Sequence, residues 1–317
     1  MKLFTNCLGS FVIDKGIKDK ILFDEQQASR ALKALREGRR PSTEAALSKK
    51  YPSAELIKGI PPPNILQLFS APEFYERFHK NNMLFLRETL SESLTDDQLI
   101  IQTIKTIEDI DKISNSLTKR VREWYSLYNP ETSHAIEDNA RFIEEISTRS
   151  RRELLGKIGM KENDTMGSDL EKEDLDEIMR LAKHADNTFK LRKREQEYLE
   201  ILMKRACPNI TALSGSMIGA RLIEIAGGLE QLSKMPASTI QLLGAEKALF
   251  RHLKSGAKPP KFGVLINHPL VSNVQKKEKG KIARMLGDKI SIASKVDYFK
   301  GEFIGEKLKK DLEKRIR

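Results

Sequence analysis

The stretch LDEIMRLAKHADNTFKLRKREQEYLEILM, residues 175–203, decides the fold. Within it Leu175, Ile178, Ala182, Ala185, Phe189, Arg192, Gln196, Leu199 and Met203 recur at strictly alternating steps of three and four. That period puts all nine on one stripe of an α-helix and holds a heptad register, as in a helix that pairs with another along its length. Arg192 and Gln196 interrupt the apolar stripe, so the spacing predicts an imperfect seam there.

Two further rods precede this one. The first carries Ile104, Ile107, Ile110, Leu117, Val121 and Trp124 at mostly three- and four-residue steps and ends at Tyr128-Asn129-Pro130. The second spans about residues 133–158, with Ile136, Ala140, Ile143, Ser147, Ser150 and Leu154 in alternation. A loop rich in Gly, Asn, Asp and Ser, residues 159–168, then reverses the chain. The second and third rods are expected to form an antiparallel helical hairpin. Such a hairpin buries only a narrow seam, so homodimerisation through the coiled coil is expected, with a lone rigid spacer as the alternative.

On either side the pattern changes. Phe11-Val12-Ile13 and Ile21-Leu22-Phe23, separated by Gly16 and charged residues, read as a β-hairpin; Asp24 opens a helix through Glu37, ended by Gly38 and Pro41. Pro61-Pro62-Pro63 precedes a helical patch at Ile65–Phe69. Beyond Pro208-Asn209, residues 211–226 hold the small residues of close helix packing and stop at Gly227-Gly228; residues 275–292 are helical again, and 305–317 form a basic helical tail. The fold class is therefore mainly α: a small α/β N-terminal domain over 1–92, an antiparallel coiled-coil hairpin over 93–206 and an all-helical C-terminal domain over 207–317.

Charge is segregated along this organisation. The chain carries +11, and from Ile240 onward 19 Lys and Arg face 8 Asp and Glu, which accounts for all of it. A neutral body with a basic end suggests a polyanion partner; a solvated basic face is the other reading. No run of eighteen apolar residues occurs and the start, MKLFTNCLGSFVIDKG, lacks a signal peptide's apolar stretch, so a cytoplasmic protein without membrane contact is expected. Cys7 and Cys207 lie too far apart for metal-type spacing or a disulfide framework and read as small buried apolar residues.

Catalytic signatures are absent. The five histidines, His79, His134, His184, His252 and His268, are scattered, with no H-E-x-x-H; no P-loop, no G-x-S-x-G and no dinucleotide fingerprint occurs. Neither a catalytic nor a metal site, and no cofactor, is expected on this chain.

The strongest local feature is QLLGAEKALFRHLKSG, residues 241–256. Gly244 opens a helix that Ser255-Gly256 closes, and a helix start suits a phosphate. Lys247, Arg251 and Lys254, at i, i+4 and i+7, share one face, while Leu249, Phe250 and Leu253 point elsewhere and can anchor the helix. Downstream, Lys258-Pro259-Pro260-Lys261 is a stiff basic turn, and Lys277, Lys281 and Arg284 share a helical face; Asn273 and Gln275 are able to read base edges. Aromatics, at 6%, are too few for a stacking sheet, which favours recognition of RNA shape and backbone.

At Asn209-Ile210-Thr211-Ala212-Leu213, Gly227-Gly228-Leu229-Glu230 and the run from Pro236 through Leu253, the chain resembles the Nop domain of archaeal box C/D small ribonucleoproteins and its nucleolar and spliceosomal relatives. The likeness extends through Arg122-Glu123-Trp124-Tyr125, Met166-Gly167-Ser168-Asp169-Leu170, Arg284-Met285-Leu286 and Lys295-Val296-Asp297, roughly residues 95–300. The long Lys/Glu-rich tail of eukaryotic relatives is missing, pointing to an archaeal type. The resemblance implies a non-catalytic scaffold for RNA-guided ribose 2′-O-methylation in rRNA and tRNA processing. Its N-terminal domain would hold fibrillarin, which binds the S-adenosylmethionine, and its C-terminal Nop domain would bind box C/D guide RNA with a kink-turn-binding ribosomal-type protein. By the same resemblance RNA would meet Gly244, Ala245, Glu246, Lys247, Arg251, Lys254, Gln275, Lys281 and Arg284, and the protein partner Gln241, Ala248 and His252. The alternative is a coiled-coil adaptor whose basic end binds an acidic protein.

Overall fold

The structure, a computed structural model, describes residues 1–57 and 59–316; Arg317, the end of the expected tail, lies outside them. The chain divides into two units, Met1–Thr95 and Asp96–Arg317.

In the first unit the expected hairpin, β2–β3, forms one side of a four-stranded sheet: β1 (Lys2–Asn6), β2 (Gly9–Ile13), β3 (Ile17–Leu22) and β4 (Glu55–Leu56), in the order β3-β2-β1-β4, with β3 at the edge. β2 pairs antiparallel with β1 and β3, and the two-residue β4 runs parallel to β1. Helices α1 (Glu25–Arg36), α2 (Ser42–Lys50), α3 (Pro63–Leu66) and α4 (Pro72–Ser93) complete the unit. Asp24 starts α1 through a capping box with Gln27. Phe11, fully buried on β2, meets Phe69 edge-on at 4.7 Å and Phe74 at 6.3 Å, and this aromatic cluster seats α4 on the sheet.

The second unit is organised by α5 (Asp96–Tyr128), 33 residues and therefore about 50 Å long. After Asn129 come α6 (Pro130–Ala135), α7 (Asn139–Thr148) and α8 (Arg151–Lys157), then α9 (Lys172–Ala206). The antiparallel pair is α5 with α9, the first and third rods, and not the second with the third. Its register is marked by Arg205 on Asp96, Arg192 on Asp111 and a 3.0 Å bond from Ser114 Oγ to Thr188 Oγ1. Arg192, the expected flaw in the seam, is met by Asp111 and by Gln196 at 3.1 Å.

The expected continuous second rod is three short helices, because two of its residues are caps. Asp138 accepts the Arg141 N–H at 2.7 Å, and Ser150, counted in the apolar stripe, forms a capping box with Glu153. Trp124 is likewise not in the seam: it is exposed, and Tyr125, 2% exposed, takes that place. The reversing loop is pinned, since Gly167 lies so close to Tyr128 that a Cβ would stand 2.0 Å from its carbonyl oxygen. Buried Arg151 donates to Gly167 O at 2.9 Å and pairs with Asp169 at 2.6 Å.

From Cys207 the chain turns into α10 (Pro208–Ala226), α11 (Leu229–Lys234), α12 (Ala237–Leu242), α13 (Glu246–Ser255), α14 (Pro269–Ser272), α15 (Lys279–Tyr298) and α16 (Gly305–Ile316). α10 bends at Gly215, whose φ of 74° an L side chain rarely adopts. The base of the long pair (Ile100, Ile104, Leu199, Met203) and these helices (Ile210, Leu222, Ile240, Leu286, Ile290) bury one continuous core, while a second core around Tyr125, Phe142 and Ile178 fills the far end of the pair. Both cysteines are buried and unpaired; burial pushes the Cys7 thiol up to about 11 and raises that of Cys207 as well. No helix of the described residues is long and apolar enough to cross a membrane.

Candidate nucleic-acid interface

The basic surface of the second unit begins at the α12–α13 connection. Gly244 has φ +86°, and a Cβ there would lie 2.5 Å from Val264 Cγ2, so the tight turn that launches α13 needs glycine. Gly263 closes the same corner: its N–H donates to Gln241 O at 2.9 Å, the Val264 N–H to Leu243 O at 2.8 Å, and a Cβ on Gly263 would stand 1.8 Å from Leu243 O. At the other end Gly256, left-handed at φ 66°, terminates α13 with its N–H on His252 O. The His252 ring is bonded through Nδ1 to Ala257 O.

Between these pinned ends α13 buries none of its side chains. Lys247, Arg251 and Lys254 are exposed on one stripe, and none has a carboxylate partner among the described residues. Leu249 and His252, half-buried, lie on the opposite side. Phe250 and Leu253 are not anchors, as the sequence pattern suggested: they are 65% and 75% exposed and flank the cationic stripe. Ala248 is exposed too. The start of the helix is also less open than expected, because Glu246 turns back to accept the Gly244 N–H at 2.6 Å, and the Ala245 N–H donates to Leu242 O. The attraction for an anion therefore lies in the row of cations more than in the helix start.

On the other side of the connection lies a groove of about 500 Å³, lined by Gln241, Pro260, Lys261, Lys277, Lys281 and Arg284. Gln241 braces it, donating through Nε2 to Lys261 O at 2.6 Å and Gly280 O at 3.3 Å, so its amide nitrogen is committed inside the fold. Lys277 does not share a helix face with Lys281 and Arg284, since α15 starts at Lys279; it comes from the preceding turn. Gln275 and Asn273 are exposed beside it. The stiff basic turn thus supplies a wall of the groove through Lys261, a role that the local pattern of 258–261 did not reveal.

Behind the groove α15 is locked at its C-terminal end. Asp297, 6% exposed, accepts the Asn209 N–H at 3.1 Å, the Asn209 side-chain amide at 2.7 Å and the Ile210 N–H at 2.9 Å. It caps α10 from a neighbouring helix; burial nevertheless holds its carboxyl above the usual range. His268 accepts the Leu270 N–H at Nδ1 and lies with Nε2 3.0 Å from Leu213 O, and burial lowers its pKa. No group of three His, Cys, Asp or Glu among the described residues is placed to hold a metal ion.

Residues 106–317 match the family described as Nop, snoRNA binding domain, fibrillarin. An uncharacterized NOP5 family protein of Methanocaldococcus jannaschii is 44% identical over 234 residues, 69% of this chain and 56% of that protein. Nucleolar protein 58 of Schizosaccharomyces pombe is 40% identical over 215 residues, 63% of this chain and 42% of that protein. The chain spans about half the length of these curated relatives. Among solved structures, a chain of a crystal structure of a fibrillarin/Nop5p complex aligns over 99% of this chain and 98% of its own length, with 21% identity and a TM-score of 0.46.

Proposed function

The chain belongs to the Nop snoRNA-binding family, and from that premise we propose that it is a non-catalytic scaffold of a box C/D ribonucleoprotein that carries out RNA-guided ribose 2′-O-methylation. The observation that carries this reading is α13, a ten-residue helix with no buried side chain, a row of three cations and two exposed apolar residues beside them. Its exposed cations and apolar residues leave one face with nothing packed on it. Its chemistry suits a composite partner: Lys247, Arg251 and Lys254 meet phosphates of a kinked guide RNA, and Phe250, Leu253 and Ala248 meet the protein that holds the kink-turn. Lys281, Arg284 and Gln275 continue the RNA face along the groove.

The other parts of the assembly follow in the same reading. Tyr75, Phe78 and Leu86 are exposed on one side of α4 and offer an apolar face to fibrillarin, which binds the S-adenosylmethionine and performs the chemistry. Leu191, Tyr198 and Ile201, exposed on α9 at steps of seven and three, form a second stripe for a second copy of the chain. The particle works in the cytoplasm.

Gel shifts with a kink-turn guide RNA, with and without the kink-turn protein, test the reading. The double variant Lys247→Ala/Arg251→Ala should bind weakly and show a salt dependence flatter by about one unit of log–log slope per lost phosphate contact. Binding equal to the unaltered chain refutes the interface. A partner retained after ribonuclease treatment, in place of RNA, favours an adaptor for an acidic protein.

A further inference from the structure

A cavity of about 320 Å³ opens between α12, α15 and α16, lined by Ser238, Arg284, Asp288, Lys289, Leu312 and Arg315. It shares Ser238 and Arg284 with the groove described above, so the two form one continuous track along α15. Lys289 is the unusual member. Its side chain is 10% exposed, yet the nearest carboxylate oxygen, Asp311 Oδ2, is 3.9 Å away, beyond hydrogen-bonding range, and no acceptor is within that range among the described residues. Its stem is buried while its ammonium is not sealed from water, and Asp311 at 3.9 Å leaves the ammonium's donors free for a closer anionic or strongly polar partner. Arg284 and Arg315 share the lining with Lys289, so three cations meet two carboxylates, Asp288 in the lining and Asp311 beside Lys289. At about 30 Å³ of liquid volume per water, the space admits a phosphodiester group with some of its hydration.

We infer that this cavity is a second phosphate-backbone site, in which Lys289, flanked by Arg284 and Arg315, receives the RNA strand as it leaves the groove at Lys281. The inference rests on the reading of the chain as an RNA scaffold and adds the path of the strand. Lys281 and Lys289 are eight residues apart on one helix, about 12 Å of axis, which is room for more than one phosphate.

The test uses the full chain, a kink-turn guide RNA and two variants, Lys289→Met, which keeps the volume of the stem, and Arg315→Ala on the exposed α16. Circular dichroism and melting establish that both fold. Each variant is expected to flatten the salt dependence by about one slope unit, so that a fourfold rise in salt costs it about 3.5-fold less affinity than it costs the unaltered chain. Slopes unchanged in both, while Lys247→Ala/Arg251→Ala flattens its own, overturn this site alone. If none of the variants changes RNA binding, the RNA reading fails with it. Should Lys289→Met not fold, Arg315→Ala decides. In a parallel arm inorganic phosphate is compared with chloride at equal ionic strength: phosphate that raises the melting temperature while both RNA slopes stay unchanged assigns the cavity to a free anion and overturns the inference.

Discussion

Replacing Asp297 by Ala should destabilise the helical unit more than any removal of a surface charge. The carboxylate holds three donors, two backbone N–H groups and one side-chain amide, at 2.7–3.1 Å, and is 6% exposed. Asn209 cannot turn away to find other partners, because its Oδ1 accepts the Ile304 N–H at 2.7 Å. Orphaning a buried donor costs ~1–3 kcal/mol. Water entering the space left by the carboxylate recovers a part, leaving ~3–5 kcal/mol for the three together. For a unit the size of Asp96–Arg317 each kcal/mol moves the melting temperature by ~2–4 °C, so the variant should melt about 6–20 °C lower by circular dichroism or calorimetry. Asn209→Ala breaks the same network, and the double variant should cost less than the sum of the two. A loss for Asp297→Ala below ~1 kcal/mol, or strict additivity with Asn209→Ala, refutes the view that this carboxylate ties α10 to α15.

Three further outcomes follow from the same geometry. Phe250→Ala/Leu253→Ala should leave stability within ~0.5 kcal/mol, since both side chains are largely exposed, but should weaken assembly with the kink-turn protein at least tenfold in a pull-down titration; unchanged assembly refutes their role as contacts. Burial raises the Asp297 pKa, so the folded chain keeps this proton at pH values where the unfolded chain has lost it, and the contribution present below the ordinary value of 3.8 declines as pH rises through the folded value. The stability advantage of the unaltered chain over Asp297→Asn should therefore shrink with rising pH across that window; an advantage that widens contradicts the assignment. Glu153, lowered by the Ser150 N–H, slopes the opposite way, which is why the difference between the two proteins is the quantity to measure. Tyr198→Glu/Ile201→Glu should convert a dimer to a folded monomer in sedimentation experiments, and a variant that remains dimeric removes this stripe from the interface.

The parts of this structure legible in the sequence are those whose causes are local. The third rod could be read because nine residues repeat one period, and the limits of α13 because Gly244 and Gly256 take backbone angles that mark helix ends. The partner of the third rod could not be read, since all three candidate rods carry the same period and periodicity names no partner. Ser150 fits the stripe by its period alone, and the structure overturns that reading by making it a cap. Glu153 three residues later is the local signal of that cap, which the periodicity overrode. The sheet was half legible: β2 and β3 carry apolar runs, whereas β4 has two residues and owes its existence to β1. Phe250 and Leu253 misled for the opposite reason. An apolar residue on a helix normally packs inward, and nothing local distinguishes one that faces solvent. Lys261 and Lys277 joined the groove only through the folding of two turns that flank it, which is a tertiary fact.

The manner in which α13 is held explains how a helix can be both exposed and ready to bind. Its ends are fixed by the Gly244–Val264 and Gly263–Leu243 approaches on one side and by His252 on Ala257 O on the other. Its two outward faces carry nothing that the rest of the fold requires. A segment that folded only on binding would have to order roughly ten residues at about 1–2 kcal/mol each at the moment of contact. A helix pinned at both ends has met most of that cost within the fold, which leaves contact energy for affinity and fixes the relation between the cationic stripe and the apolar pair. Fixed spacing between a charge-reading and a shape-reading surface is what recognition of an RNA and its bound protein together demands. On the proposed reading, the glycines at 244 and 263 would contribute to specificity by fixing that spacing.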